Sequence, residues 1–126
     1  MPTADIVSFG YLHGDPPAAH LTLDLREHFR DPHVSPELRY MTAHDGEVRQ
    51  AVYATPGIPA LIEATADAIV AFSHGPSAGP VCVAVGCAGG RHRAAAVAMA
   101  LQTALAAEGV TATVAHRDLD KPVVDR

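Results

Sequence analysis

The chain has 126 residues, of which 48% are hydrophobic and 18% charged, with a formal net charge of −5 when histidine is neutral. Such a chain is long enough for one domain with a real core, too apolar for a disordered segment, and too acidic for a broad nucleic-acid footprint. No apolar run approaches the roughly 20 residues of a membrane span, no basic-then-apolar leader opens the chain, and no G-x-x-x-x-G-K-[ST] nucleotide loop occurs.

Taken in order, Ile6-Val7-Ser8-Phe9-Gly10 predicts a short strand of β-formers ending in glycine. Residues 11–17, with Gly14 and a Pro-Pro pair, read as loop. His20-Leu21-Thr22-Leu23-Asp24-Leu25-Arg26 alternates apolar and polar, the pattern of a second strand, and its end places Asp24 and Arg26 on one side. Residues 27–45 are rich in proline, histidine and charge. A long polar segment of this kind in a small domain points to a functional loop, in which Ser35 can cap one helical turn with Pro36 at its first position.

Residues 45–54 have helical spacing at Val48 and Val52, with Asp45 as the expected cap. After the break at Thr55-Pro56-Gly57, residues 58–73 predict an amphipathic helix with Glu63, Thr65 and Asp67 on its polar face. Val81 to Val85 is apolar on both faces, as in a strand covered from both sides. A helix is expected over about residues 90–108, with Val97, Leu101 and Leu105 along one stripe and Gly109 as its stop. Residues 110–115 form the last predicted strand. The expected fold is therefore α/β: a single small domain over residues 1–126, with a mixed, mostly parallel sheet flanked by helices. Ligands in such sheets gather beyond the carboxyl ends of the strands.

The most specific signal is Val85-Gly86-Cys87-Ala88-Gly89-Gly90-Arg91-His92-Arg93, a strand, a glycine-rich turn and a helix start. Helix first-turn N–H groups lack intrahelical partners and form a ready anion site. Cations are disfavoured at that end, yet Arg91, His92 and Arg93 stand there, and no acid follows Val81 until Glu108. Three readings compete. In the first, Gly86, Gly89 and Gly90 let backbone N–H groups close on a phosphate, and Arg91 or Arg93 adds charge. In the second, Cys87 to Arg93 is the C-x5-R loop of a cysteine phosphatase, with Cys87 as nucleophile and Arg93 as phosphate clamp. In the third, the glycines serve a tight turn and Cys87 is a small buried hydrophobe.

Other candidates flank this loop. Arg26 either pairs with Asp24 or joins the anion site; His33 sits in a proline-bounded loop; His116 heads His116-Arg117-Asp118 after the last strand. His28 and His33 have H-x4-H spacing, but no C-x2-C pair accompanies them, so neither a structural zinc site nor any cofactor is expected. A disulfide between Cys82 and Cys87 would bend a strand back on itself, so free thiols and a cytoplasmic location are expected.

Together these pieces resemble one family, the C-terminal domain of the RapZ/YvcJ group of bacterial proteins. The resemblance rests on Ile6-Val7-Ser8-Phe9-Gly10-Tyr11 with His13-Gly14, Asp24-Leu25-Arg26, Asp31-Pro32-His33 and Pro36-Glu37-Leu38-Arg39. It continues through Thr42 and Asp45, the Val85 to Arg93 loop, and His116-Arg117-Asp118-Leu119. It implies an α/β domain similar to a phosphofructokinase subdomain, and non-catalytic sensing of a phosphorylated amino sugar such as glucosamine-6-phosphate. The implied pocket draws on His33, Cys87, Ala88, Gly89, Gly90, His92 and Arg93. The implied partners are a P-loop nucleotide-binding domain (usually joined to this one), small regulatory RNAs in some members, and further copies of the chain. Against RNA, residues 118–126 carry two cations and three acids, a poor clamp for a phosphate backbone.

Overall fold

Alternation along the strands decides which face of the sheet becomes core. The computed structural model describes residues 2–77 and 79–126. The elements in chain order are strand β1 (Thr3–Gly10), a 3-10 turn (Tyr11–His13), strand β2 (Leu21–Asp24) and a second 3-10 turn (Pro32–Val34). Helices α1 (Gly46–Tyr53) and α2 (Ile58–Ser73), strand β3 (Val81–Cys87), helix α3 (Arg93–Ala107) and strand β4 (Thr111–His116) complete them.

The sheet runs β2-β3-β1-β4, and all three neighbouring pairs are parallel. The expected mixed character is therefore absent among the described residues. Register pairs Gly10 with Cys87, Asp24 with Gly86 and Ser8 with His116, so the carboxyl ends of all four strands share one edge.

One face of the sheet presents Ala4, Ile6, Leu21, Leu23, Val81, Val83, Val85, Cys87, Ala112 and Val114 to a single apolar core. Helix α3 lies across β1, β3 and β4, and α1 and α2 pack onto α3 from the same side. The sequence pattern had suggested cover on both faces of β3, whereas the helices cover only one. Ala84 and Phe9 face the other way and are fully buried outside that core cluster. Small side chains explain part of this, because Ala84 and Gly86 leave little apolar surface to cover.

Helix α3 buries Ala94, Ala95, Ala96, Val97 and Ala98 in sequence, then Leu101 and Leu105. A helix buried all round at one end needs small residues to approach both sheet and neighbours, and the alanines supply this. Its start at Arg93, three residues later than expected, follows from Gly90, whose φ of +78° is not helical. Asp45 does not cap the first turn of α1; its Oδ2 instead accepts from the Thr42 N–H at 3.0 Å. Ser35 starts a turn closed by the Arg39 N–H on its carbonyl at 2.9 Å, but its hydroxyl donates to Glu37 rather than capping. Asp31 caps instead, accepting from the His33 N–H at 3.0 Å.

Candidate functional site

The strand-to-helix loop is shaped by close backbone contact. A Cβ on Gly10 would come within 2.4 Å of the Gly89 carbonyl carbon, and one on Gly90 within 2.8 Å of the Gly10 nitrogen. Gly86 is still part of β3, and a Cβ there would meet the Phe9 ring at 2.4 Å and the Tyr11 ring at 2.6 Å. Its role is thus to admit two aromatic rings rather than to bind through a loop N–H. The loop is anchored through its carbonyls: the Leu12 N–H donates to Ala88 O at 3.0 Å and the Ala43 N–H to Arg91 O at 2.9 Å. The N–H groups of Gly89, Gly90, Arg91 and His92 find no acceptor among the described residues.

The three titratable side chains that follow turn away from this set of donors. Arg91 donates to the Lys121 carbonyl at 2.8 Å and to that of Tyr40 at 2.7 Å. His92 Nε2 lies 3.0 Å from Leu38 O and 2.9 Å from Met41 O; carbonyls only accept, so this nitrogen carries the proton. Arg93 Nη1 donates to the carbonyls of Leu25, Arg26 and Phe29 at 2.8, 3.1 and 3.2 Å, and Nη2 lies 3.2 Å from Asp31 Oδ2. His92 and Arg93 are only 4% and 2% exposed. The long irregular segment needs donors for its buried carbonyls, and these side chains supply them. Burial pushes His92 below its ordinary pKa, although the two carbonyl contacts partly oppose that shift.

Cys87 is 2% exposed, and its Sγ accepts from the Ala94 N–H at 3.4 Å. Both cysteines are unpaired thiols.

Asp31 is the hinge of the rim. Its Oδ2 lies 3.2 Å from Arg93 Nη2 and 2.5 Å from Arg126 Nη1. Burial raises its pKa, but the Arg126 hydrogen bond, the His33 N–H and the charge of Arg93 carry the net shift below the ordinary value. His33 is held beside it, its pKa lowered by burial and by Arg126. The structure thus brings Gly89, Gly90, Arg93, Asp31 and His33 into one neighbourhood.

Arg26 is elsewhere: it pairs with Asp24 at 2.7 Å and stacks on the Tyr11 ring at 3.6 Å, and only its carbonyl serves Arg93. His116 lies on β4, two strands away from β3, with Nδ1 2.6 Å from the Ser8 hydroxyl. It reaches the same sheet edge but not the loop.

The sequence places Asp118 at the same sheet edge, within His116-Arg117-Asp118, but not among the expected ligand-binding residues, and it does not single out Arg126. Asp118 is fully buried, accepting from the Gly10 N–H at 2.7 Å and pairing with Arg117 and Lys121. Its place in His116-Arg117-Asp118 was a usable signal; nothing local marked Arg126. Two larger cavities, about 330 Å³ beside Gln102 and Val110 and about 390 Å³ beside Tyr53 and Met99, have no charged lining. Among the described residues, no cluster of three His, Cys, Asp or Glu could hold a metal ion, and no helix is long and apolar enough to cross a membrane.

The fold and loop define a small parallel α/β domain with a glycine-rich strand-to-helix turn at its carboxyl edge. The RapZ C-terminal domain family matches residues 2–120, and the chain belongs to that family. It is 38% identical over 121 residues to a nucleotide-binding protein of Thermobifida fusca, covering 94% of this chain and 41% of that protein. A nucleotide-binding protein of Frankia alni is 40% identical, with 94% and 42% covered. One of Streptomyces coelicolor is 38% identical, with 94% and 40% covered. The chain therefore spans about two fifths of the length of these relatives.

Proposed function

We propose that this domain binds a small phosphorylated metabolite, an amino-sugar phosphate such as glucosamine-6-phosphate, without chemically changing it. The observation that carries this reading is the row of N–H groups at Gly89, Gly90, Arg91 and His92, leading into the first turn of α3. Such a row favours an oxyanion through both its hydrogen bonds and the helix dipole. His33 on the rim offers a ring that orients a sugar or phosphate, and its lowered pKa favours the neutral, hydrogen-bonding form near pH 7. Family membership supports the same reading.

The phosphatase alternative draws less support. It needs the Arg93 guanidinium on the phosphoryl oxygens, but that group faces three carbonyls and Asp31. It also needs an accessible sulfur, and Cys87 is 2% exposed.

A regulatory role and association with a P-loop protein or with further copies of the chain belong to the same proposal; an RNA or protein adapter is a separate alternative, and the three acids against two cations in residues 118–126 speak against its RNA form. The nucleotide named for the relatives is not assigned to this domain, which has no phosphate-loop lysine motif. Thermal-shift screening of hexose and hexosamine phosphates tests the central reading. A bound ligand stabilises by about 2.7 kcal/mol at roughly a hundredfold excess over its dissociation constant. A screen in which no phosphorylated sugar raises the melting temperature overturns it. A gel shift absent at low salt, where the electrostatic term is strongest, removes RNA.

A further inference from the structure

Residues 118–126 cross the glycine loop as a strap. Asp118 ties one end to the Gly10 N–H, Leu119 is 2% exposed in the core, and Arg91 holds the Lys121 carbonyl. The chain then reaches Arg126, whose Nη1 pairs with Asp31 at 2.5 Å. Its Nη2 lies 4.0 Å from where a Cβ on Gly89 would stand, beside the residue that opens the run of unpartnered N–H groups. The guanidinium groups of the loop itself are already engaged, Arg91 with the carbonyls of Tyr40 and Lys121 and Arg93 with three carbonyls and Asp31.

We propose that Arg126 is the anion-reading side chain of this site, turning from Asp31 onto the ligand's phosphate when the ligand binds. This rests on the phosphate-binding reading above. Two features make the exchange accessible. Asp31 keeps Arg93 as a partner after Arg126 leaves, so no carboxylate is stranded. The Arg126 side chain is 29% exposed, unlike Arg93 at 2%, and a guanidinium offers a phosphate two parallel N–H donors. One positioned cation serves a small anion, whereas a polynucleotide needs many.

Calorimetric titration at fixed ionic strength tests this, with inorganic phosphate and glucosamine-6-phosphate as probes on wild type, Arg126→Ala and Arg126→Lys. Arg126→Ala is expected to weaken binding roughly ten- to hundredfold, the loss of a charge-assisted hydrogen bond, with the ligand-free melting temperature nearly unchanged. Arg126→Lys recovers part of the affinity. Unchanged or tighter binding by Arg126→Ala overturns the inference while leaving the site reading intact. So does a large fall in its ligand-free melting temperature, which would make Arg126 a structural clip. A wild-type protein that binds neither probe overturns the site reading itself.

Discussion

The guanidinium of Arg93 lies 3.2 Å from the Asp31 carboxylate with only 2% of the arginine side chain exposed. With its bonds to Leu25, Arg26 and Phe29, it pins the start of the irregular segment against the first turn of α3. Arg93→Ala strands three carbonyls and half of an ion pair. Removing one partner of a buried pair costs about 3–5 kcal/mol; because Arg126 still pairs with Asp31, a loss of about 3 kcal/mol is expected in urea unfolding. Arg93→Lys rescues little, since one ammonium cannot span those acceptors. A stable Arg93→Ala protein that loses only ligand response would make Arg93 a ligand contact instead.

Gly89 and Gly90 are adjacent but predict opposite outcomes. Gly90 has a φ of +78°, and an added Cβ would approach the Gly10 nitrogen at 2.8 Å and the Asp118 Cβ at 3.0 Å. Backbone strain of this type costs about 1–3 kcal/mol, and the contacts add to it. Gly90→Ala should therefore lower the melting temperature clearly. At Gly89 the nearest atom is Arg126 Nη2 at 4.0 Å, so Gly89→Ala should fold like wild type. Equal melting temperatures for the two variants would contradict this account of the loop.

The elements were legible in the sequence because each carries local information: period-two alternation in Leu21-Thr22-Leu23-Asp24, and helical spacing from Ile58 onward. The glycine loop was legible as well, since Gly89-Gly90 between an apolar strand and an alanine-rich helix has few other uses. The aim of the side chains was not. Arg91, His92 and Arg93 looked like cations waiting for an anion, but their carbonyl acceptors lie 30 or more residues away in sequence. Burial of Asp118 and the contact of Arg126 with Asp31 depend on the same long-range closure. The one-sided cover of the sheet was hidden for another reason: apolar residues on both faces of β3 include Ala84, buried without any helix above it.

Asp118 gives the fold an acid-side dependence. Burial alone would raise its pKa, but hydrogen bonds from Arg117, the Gly10 N–H and Lys121 bring it from 3.8 down to about 2. A carboxyl whose folded pKa is depressed stabilises the fold above its unfolded pKa, and that contribution is lost as pH falls through the folded value. Asp118 should therefore contribute roughly 2 kcal/mol near neutrality, vanishing between about pH 4 and pH 2. Asp31 and Asp24 shift in the same direction, so the residue is isolated by comparison with Asp118→Asn. The variant should be less stable at pH 7 and lose less than wild type on acidification. Parallel pH profiles for the two proteins would count against the assignment.

Histidines act in a higher window. His92, His33 and His116 all have folded pKa values below 6.5, with burial the largest cause in each. A depressed folded pKa means that protonation favours the unfolded chain, so stability is full above about pH 6.5 and falls below it. Denaturant midpoints should drop between pH 7 and pH 5. His92→Gln, whose amide can still donate toward Leu38 and Met41, should flatten part of that drop. A midpoint that rises on going to pH 5 would reverse the sign and refute the argument.

Cys87 sits at the head of α3, where a thiol could serve as a nucleophile, yet its surroundings make it a packing and capping group. Its sulfur accepts from the Ala94 N–H at 3.4 Å and is enclosed with the core residues of β3, leaving 2% of the residue exposed. Cys82 is partly exposed on the opposite face of the sheet. Reactivity of a thiol depends on access as well as on thiolate character. Under native conditions iodoacetamide should therefore label Cys82 first, with Cys87 modified only as the domain opens, and peptide mass mapping distinguishes the two. Cys87→Ala should fold, bind the sugar-phosphate probes as wild type does, and lose about 1–2 kcal/mol, as expected for a small buried truncation. Rapid labelling of Cys87 in the folded protein would restore the nucleophile reading and reopen the phosphatase alternative.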